Sequence, residues 1–216
     1  MKRSLIWFVI VATLCVCIHA RHVDAHPDIL VHMHDAVIFD GNGSISGVRV
    51  SWTYDRETSV TALRSSGLNE SAPHLGRDQL DPLARATVNS LRASDFYTFA
   101  RVNGTKQPFD GASDSWLEWD GSVLTLHMAL NFKQPVSNSN FTLELFDETD
   151  EIEFDFQEGD AVIMTKAPKD CALVVARPGD AAAQRELLGD AYLNPNVQPV
   201  GWDAQYSNKV SVRCLS

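Results

Sequence analysis

Apolar and polar residues alternate along much of this chain, and that alternation limits the folds open to it. A period of two residues is that of a β-strand with one buried face, and residues 28–39 show it clearly. The predicted buried face carries Ile29, Val31, Met33, Val37 and Phe39. An Asp-Gly-Asn-Gly turn at 40–43 and renewed alternation over 44–54 then predict a long β-hairpin.

The same alternation returns in shorter segments toward the C-terminus. We expect further strands at 96–102, before Trp119, and at 122–130, 140–146, 151–156, 161–165, 171–176 and 209–214. One substantial helix fits 78–94, where apolar residues recur at helical spacing, and a short one fits 180–189. The sequence therefore predicts an α+β fold that is mostly antiparallel β, sandwich-like, with one substantial packed helix.

The N-terminus has the layout of a secretory signal peptide. Lys2 and Arg3 precede an apolar run over 5–18, and small residues at Ala20 and Ala25 offer cleavage points. We favour cleavage after Ala25, and an uncleaved N-terminal anchor is the alternative. The expected organisation is a signal peptide at 1–25 and a single periplasmic or secreted domain at 26–216, which does not itself span a membrane.

The cysteines agree with export. Cys15 and Cys17 leave with the signal, so Cys171 and Cys214 remain as an even pair in an oxidising compartment. We expect a disulfide between them that ties the C-terminal strand to the body of the domain. Two free, buried thiols are the alternative.

Charge and motifs exclude several classes of function. The chain carries 28 acidic and 18 basic residues, a net charge of −10, and so acidic a surface disfavours nucleic acid as a partner. Neither a nucleophile elbow nor a zinc-protease helix occurs, so we do not expect an enzyme.

Histidines near the start of the mature chain are the candidate metal ligands. His26, Asp28, His32 and His34 share the polar face of the first strand if it is regular throughout. Imidazole suits divalent ions of the nickel, cobalt, copper and zinc class. Same-face residues two apart lie ~6.6 Å from each other, so His26 and His32 are ~20 Å apart and cannot share one ion.

Two half-sites follow from that spacing. His26 with Asp28 ranks first, because cleavage after Ala25 would free an amine beside the His26 ring. His32 with His34 ranks second and would need a third ligand, either His127 or a carboxylate across the sheet. His74 is expected in solvent, and His127 is expected to be an ordinary outward-facing strand residue. The alternative for the whole set is a solvated strand face with no ion.

Several segments in order resemble a known family. After the His26-Pro27 start come VIFDGNGSISGVRVSWTYDRETS, LRASDFYTFARVNGTKQPF, LTLHMALNFKQPV, LFDET, APKDC and SNKVSVRC. This order resembles the bacterial periplasmic family catalogued as domain of unknown function 1007, whose members are labelled periplasmic component of an uncharacterised ABC-type transport system. The resemblance covers essentially the whole mature chain.

The resemblance implies metal handling in the cell envelope, because family members are often encoded beside permeases of the nickel/cobalt type. The family's usual start is His-Pro-His, whereas this chain has Asp28 at the third position, which shifts the preference toward harder ions. We therefore expect a periplasmic accessory that handles a divalent transition metal (nickel, cobalt or zinc class) for a membrane permease. A docking module without metal, or a solute-binding accessory subunit, is the alternative.

Overall fold

The computed structural model describes residues 29–149, 151–178 and 207–214. Eleven strands and two α-helices are found there, with a 3-10 helix at Arg92–Tyr97. The strands are β1 Ile29–Phe39, β2 Ile45–Tyr54, β3 Thr98–Val102, β4 Thr105–Gln107, β5 Phe109–Trp119, β6 Leu124–Val136, β7 Phe141–Leu145, β8 Ile152–Phe156, β9 Val162–Thr165, β10 Cys171–Ala176 and β11 Asn208–Cys214. The helices are α1 Arg56–Ser65 and α2 Arg77–Leu91.

The strands form two sheets that share one core. The first sheet has the order β5-β6-β2-β1-β8, with β9 also paired to β1, and the second has the order β10-β11-β7-β3-β4. Buried residues of both sheets, among them Met33 of β1, Leu143 of β7 and Val210 of β11, belong to one hydrophobic cluster, as two facing apolar surfaces require. The predicted α+β, sandwich-like fold is confirmed.

The pairing of β1 with β8 and β9 is parallel, unlike that of the other strands. On its other side β1 pairs with β2 in antiparallel orientation, and the predicted turn at 40–43 joins these two strands. β8 lies beside the first half of β1 and β9 beside the second half, so one strand is flanked by two successive pieces of chain. This arrangement brings the acidic segment near residue 155 next to the histidines of β1.

The two helices pack at one end of the first sheet. The predicted helix at 78–94 is α2, which buries Leu80, Ala84, Val88 and Leu91. α1 was not predicted. Its N-cap is Asp55, whose side chain accepts a hydrogen bond from the Thr58 backbone N–H at 2.8 Å. The predicted helix at 180–189 lies outside the described residues.

The predicted disulfide is present. Cys171 on β10 lies opposite Cys214 on β11, and the two sulfur atoms are 2.01 Å apart. β10 is an edge strand that pairs only with β11 among the described strands, so the disulfide fixes the edge of the second sheet.

Candidate metal site

The outer face of the first sheet carries the two predicted histidines that the structure describes. Residues of β1 alternate between the core and solvent, so Met33 is buried while His32 and His34 point away from the core. His26 and Asp28, the half-site ranked first from the sequence, lie outside the described residues.

His32 is joined by a carboxylate from the neighbouring strand. Parallel pairing places Asp155 of β8 beside His32, with His32 Nδ1 and Asp155 Oδ2 3.6 Å apart. The side chains are 42% and 48% exposed, so both polar ends can reach a solvent ion. An imidazole and a carboxylate, one from each of two strands, could thus supply two ligands to one metal ion.

His34 lies at a break in the parallel ladder. The β8 pairing ends at Met33 and the β9 pairing begins at Asp35, so no residue is paired with His34 on that side. The chain between the two strands, 157–161, leaves the sheet there and carries the exposed acids Glu158 and Asp160. His34 is itself exposed and free to turn toward His32.

His127 faces outward as expected, but its ring is tied into other contacts. Its Nδ1 lies 3.0 Å from the Ser51 hydroxyl, and its Nε2 lies 3.4 Å from Glu118 Oε2. The ring stacks on Trp116 at 4.6 Å, and the Arg77 guanidinium lies 4.4 Å from the Trp116 centroid. Burial lowers the pKa of His127, and the nearby Glu118 only partly offsets this effect.

These contacts remove His127 from the candidate ligands. Its Nε2 is buried without a well-aligned hydrogen bond, so an ion cannot reach that atom from solvent. Of the two third ligands expected from the sequence, His127 or a carboxylate across the sheet, the structure leaves the carboxylate of Asp155 as the candidate.

The order Glu118–His127–Ser51 is that of a hydrolase relay, but its surroundings differ from those of a nucleophile. Ser51 lies in β2, which pairs with β1 on one side and β6 on the other. The Ser51 backbone N–H donates to Asp35 Oδ1 at 3.4 Å, on the core side of the sheet. It is therefore not directed at a developing oxyanion, and stabilisation of that charge by backbone N–H groups is a major source of catalysis in hydrolases. The geometry gives Ser51 a structural role.

Comparison with known families identifies the family of this chain. The family model described as protein of unknown function (DUF1007) matches residues 11–214. The chain belongs to this family. No curated protein matches it.

In this DUF1007 member, one buried acid was overlooked in the sequence. Asp35 falls on the inward face of β1, between Met33 and Val37, and is 1% exposed. Its Oδ1 accepts a long hydrogen bond of 3.4 Å from the Ser51 backbone N–H, while Oδ2 meets only a poorly aligned Trp52 indole N–H. Strict alternation would have revealed it, because Asp35 shares parity with the apolar residues.

Burial sets the ionisation of Asp35. Removal from water raises the pKa of its carboxyl well above the ordinary value, and hydrogen bonds from Ser51 and Trp52 only partly oppose that shift. Asp35 faces the core whereas His32 faces outward, so this carboxyl cannot serve an ion bound on the outer face.

Within the described residues, no group of three or more His, Cys, Asp or Glu side chains is close enough to hold a metal. His32 and Asp155 are thus only a pair of candidate ligands, and His34 is the nearest exposed imidazole along the strand. An ion bound there would complete its shell with His34, with water, or with ligands from residues beyond the described ranges.

Proposed function

We propose that this protein is a periplasmic accessory of a transport system, which binds a divalent transition metal at His32 and Asp155 and passes it to a membrane permease. The observation that carries the proposal is the 3.6 Å approach of His32 Nδ1 to Asp155 Oδ2 on an exposed sheet face. The role proposed is binding and transfer, without catalysis.

The spacing of the two atoms suits one ion between them. Metal–ligand distances of ~2.0–2.2 Å and tetrahedral angles put two ligand atoms ~3.3 Å apart. The observed 3.6 Å requires a shift of only a few tenths of an ångström. Because both side chains are about half exposed, such a shift disturbs no packed neighbour.

The composition of the site favours a metal of intermediate hardness. One imidazole with one carboxylate suits zinc, cobalt and nickel better than copper(I), which prefers sulfur ligands. The predicted N-terminal half-site, His26 with Asp28, has the same composition. Because each such pair supplies only two ligands, we expect the protein to hold an ion loosely enough to release it.

The context supports work outside the cytoplasm. The disulfide between Cys171 and Cys214 is typical of oxidising compartments, and the N-terminal residues have the layout of a signal peptide. Among the described residues, no helix is long and apolar enough to cross a membrane. The proposed partner is a separate membrane permease.

Calorimetric titration of the mature chain with Ni²⁺, Zn²⁺, Co²⁺ and Cu²⁺ tests the proposal. Since losing even an outer-shell partner costs 10- to 100-fold in affinity, His32→Ala and Asp155→Asn should each weaken binding by ~10-fold or more. Their controls are His74→Ala, an exposed loop histidine, and Glu153→Gln, a carboxylate on the same face of β8.

The controls separate coordination from general charge. Glu153→Gln removes one negative charge from the same strand, so an equal loss in both carboxylate variants would indicate attraction without coordination. If the parent binds none of the four ions at micromolar concentration, the metal proposal fails and the docking-module alternative takes its place.

A further inference from the structure

A cavity lies between the two helices and the inner face of the first sheet. Its volume is about 390 Å³, within the range of sites for small organic ligands. α1 and α2 form one wall, the ends of β2, β5 and β6 form another, and the chain before β8 closes the rim. The lining includes Tyr54, Ala62, Leu83, Tyr97 and Glu151.

Three of the four serine and threonine hydroxyls of the lining, those of Thr58, Ser59 and Thr87, are already hydrogen-bonded within the fold. Ser59 Oγ donates to the Asp55 carbonyl at 2.7 Å and accepts from the Leu124 N–H at 2.9 Å. The Thr87 hydroxyl donates to the Leu83 carbonyl at 2.9 Å. The helical side of the cavity therefore presents mostly carbon to a ligand.

Besides Ser90 on α2, two tyrosines give the cavity polar character. Tyr54 and Tyr97 both line it, and no hydrogen bond of their hydroxyls is found within the described residues. Burial, with a smaller effect from Tyr97, raises the pKa of Tyr54, so its hydroxyl stays protonated. The rings offer π-faces, and the hydroxyls offer both donors and acceptors.

A strained stretch of backbone fixes Tyr97 in this wall. Asp95, Phe96 and Tyr97 have φ values of 50°, 56° and 48°, three consecutive non-glycine residues in the left-handed region. Such backbone strain clusters at ligand-binding positions. Two contacts hold this stretch in place. Lys106 Nζ lies 2.7 Å from Asp95 Oδ2, and the Phe146 N–H donates to the Tyr97 carbonyl at 3.2 Å.

The charge of the lining discriminates among ligands. Glu151 is the one charged side chain among the described residues that line the cavity, and it is exposed at the rim. No lysine, arginine or histidine is found in that lining. An anion would meet a carboxylate without a compensating cation, whereas a cation would meet a carboxylate and two aromatic faces.

We infer that this cavity binds a small organic ammonium compound. Its apolar body lies between Leu83 and Ala62, and its protonated amine is directed to Glu151 and the rings of Tyr54 and Tyr97. The site is on the inner side of the first sheet, opposite the face that bears His32, so it stands or falls independently of the metal proposal.

Displacement of a fluorescent probe tests the inference. 1-Aminoanthracene, an uncharged aromatic amine, should bind the mature protein saturably with a rise in emission. 2-Phenylethylamine and 3-phenylpropionate have similar apolar bodies and opposite charges. We expect the amine to displace the probe at least ~10-fold more effectively than the carboxylate, a difference of about 1.4 kcal/mol.

Two variants locate the binding. Ala62→Phe should fill the cavity and abolish probe binding, with circular dichroism checking the fold. Glu151→Gln, an exposed position, should leave probe binding intact and remove most of the preference for the amine. Its control is Glu153→Gln, an exposed acid two residues away that does not line the cavity and should behave like the parent.

Absence of saturable probe binding to the parent would overturn the inference. So would equal displacement by the amine and the carboxylate, or a preference for the amine that survives Glu151→Gln. Loss of the preference in Glu153→Gln as well would also overturn it, because the protein's general negative charge would then account for the selectivity.

Discussion

Removing the disulfide should cost the protein a large part of its stability. Cys171 and Cys214 are 43 residues apart in sequence, so the bond closes a loop of that length in the unfolded chain. Chain-entropy arithmetic for such a loop gives ~4 kcal/mol of stabilisation at 25 °C. Small domains have only ~5–15 kcal/mol in total, so the loss should be easy to measure.

The perturbation is the double variant Cys171→Ala with Cys214→Ala, which leaves no unpaired thiol. Urea unfolding followed by tryptophan fluorescence reports the core, since Trp52 and Trp119 are each 1% exposed. With a urea m-value of ~2 kcal/mol/M, the midpoint should fall by ~2 M. The oxidised parent treated with a reductant should approach the same midpoint.

The structure also predicts which strand is destabilised first when the disulfide is removed. β10 pairs with β11 alone among the described strands, whereas β11 is held by β7 as well. Amide hydrogen exchange in β10 should therefore speed up in the variant before that of β1 and β2. A change below ~1 kcal/mol, or two thiols that react with an alkylating reagent in the native oxidised protein, would refute the reasoning.

Three further outcomes are expected. A Cβ on Gly47 would lie 2.3 Å from the Leu130 carbonyl oxygen, so Gly47→Ala should destabilise by ~3 kcal/mol in urea unfolding, whereas Gly41→Ala, with open space around it, should be close to neutral. Because burial raises the pKa of Asp35 in the folded state, the free energy of unfolding of the parent is highest below the unfolded pKa of ~3.9 and falls as pH rises above it. Asp35→Asn should therefore match the parent near pH 4 and be more stable than the parent at pH 7. A stability difference that does not change with pH would contradict this. Mass spectrometry of protein recovered from the cell envelope should show His26 as the first residue, and a chain that still begins at the initiator methionine would contradict the processing prediction.

Local patterns in the sequence were enough to predict most elements. The alternation over residues 28–54 predicted the β1–β2 hairpin, and the apolar stripe predicted α2, because both signals depend only on neighbours along the chain. The even pair of cysteines predicted the disulfide. α1 was missed because its ten residues include Thr, Ser and Val, which are weak helix formers, and its strongest signal is the single cap at Asp55.

The candidate site was only half predictable. Alternation placed His32 and His34 on one face, but nothing local tells which distant segment pairs with β1 in parallel. The parallel partner β8 supplies Asp155, so the second candidate ligand was found only from the fold. The burial of Asp35 could be predicted from its position, because it alternates in step with the apolar residues of β1. It was not predicted because an acidic residue on a buried face conflicts with the hydrophobic pattern.

Histidine-selective ¹H–¹⁵N NMR of the mature protein during titration with Zn²⁺ tests the central claim most directly. Zinc is diamagnetic, so each imidazole can be followed separately. We predict that the His32 ring nitrogens shift up to one equivalent of metal, with Nδ1 affected most, that Asp155→Asn suppresses this shift, and that His74 and His127 stay unchanged. Binding should weaken in acid, because an imidazole must be deprotonated to coordinate a metal. Unchanged His32 signals at one equivalent of zinc, or equal shifts at His32 and His74, would contradict the account.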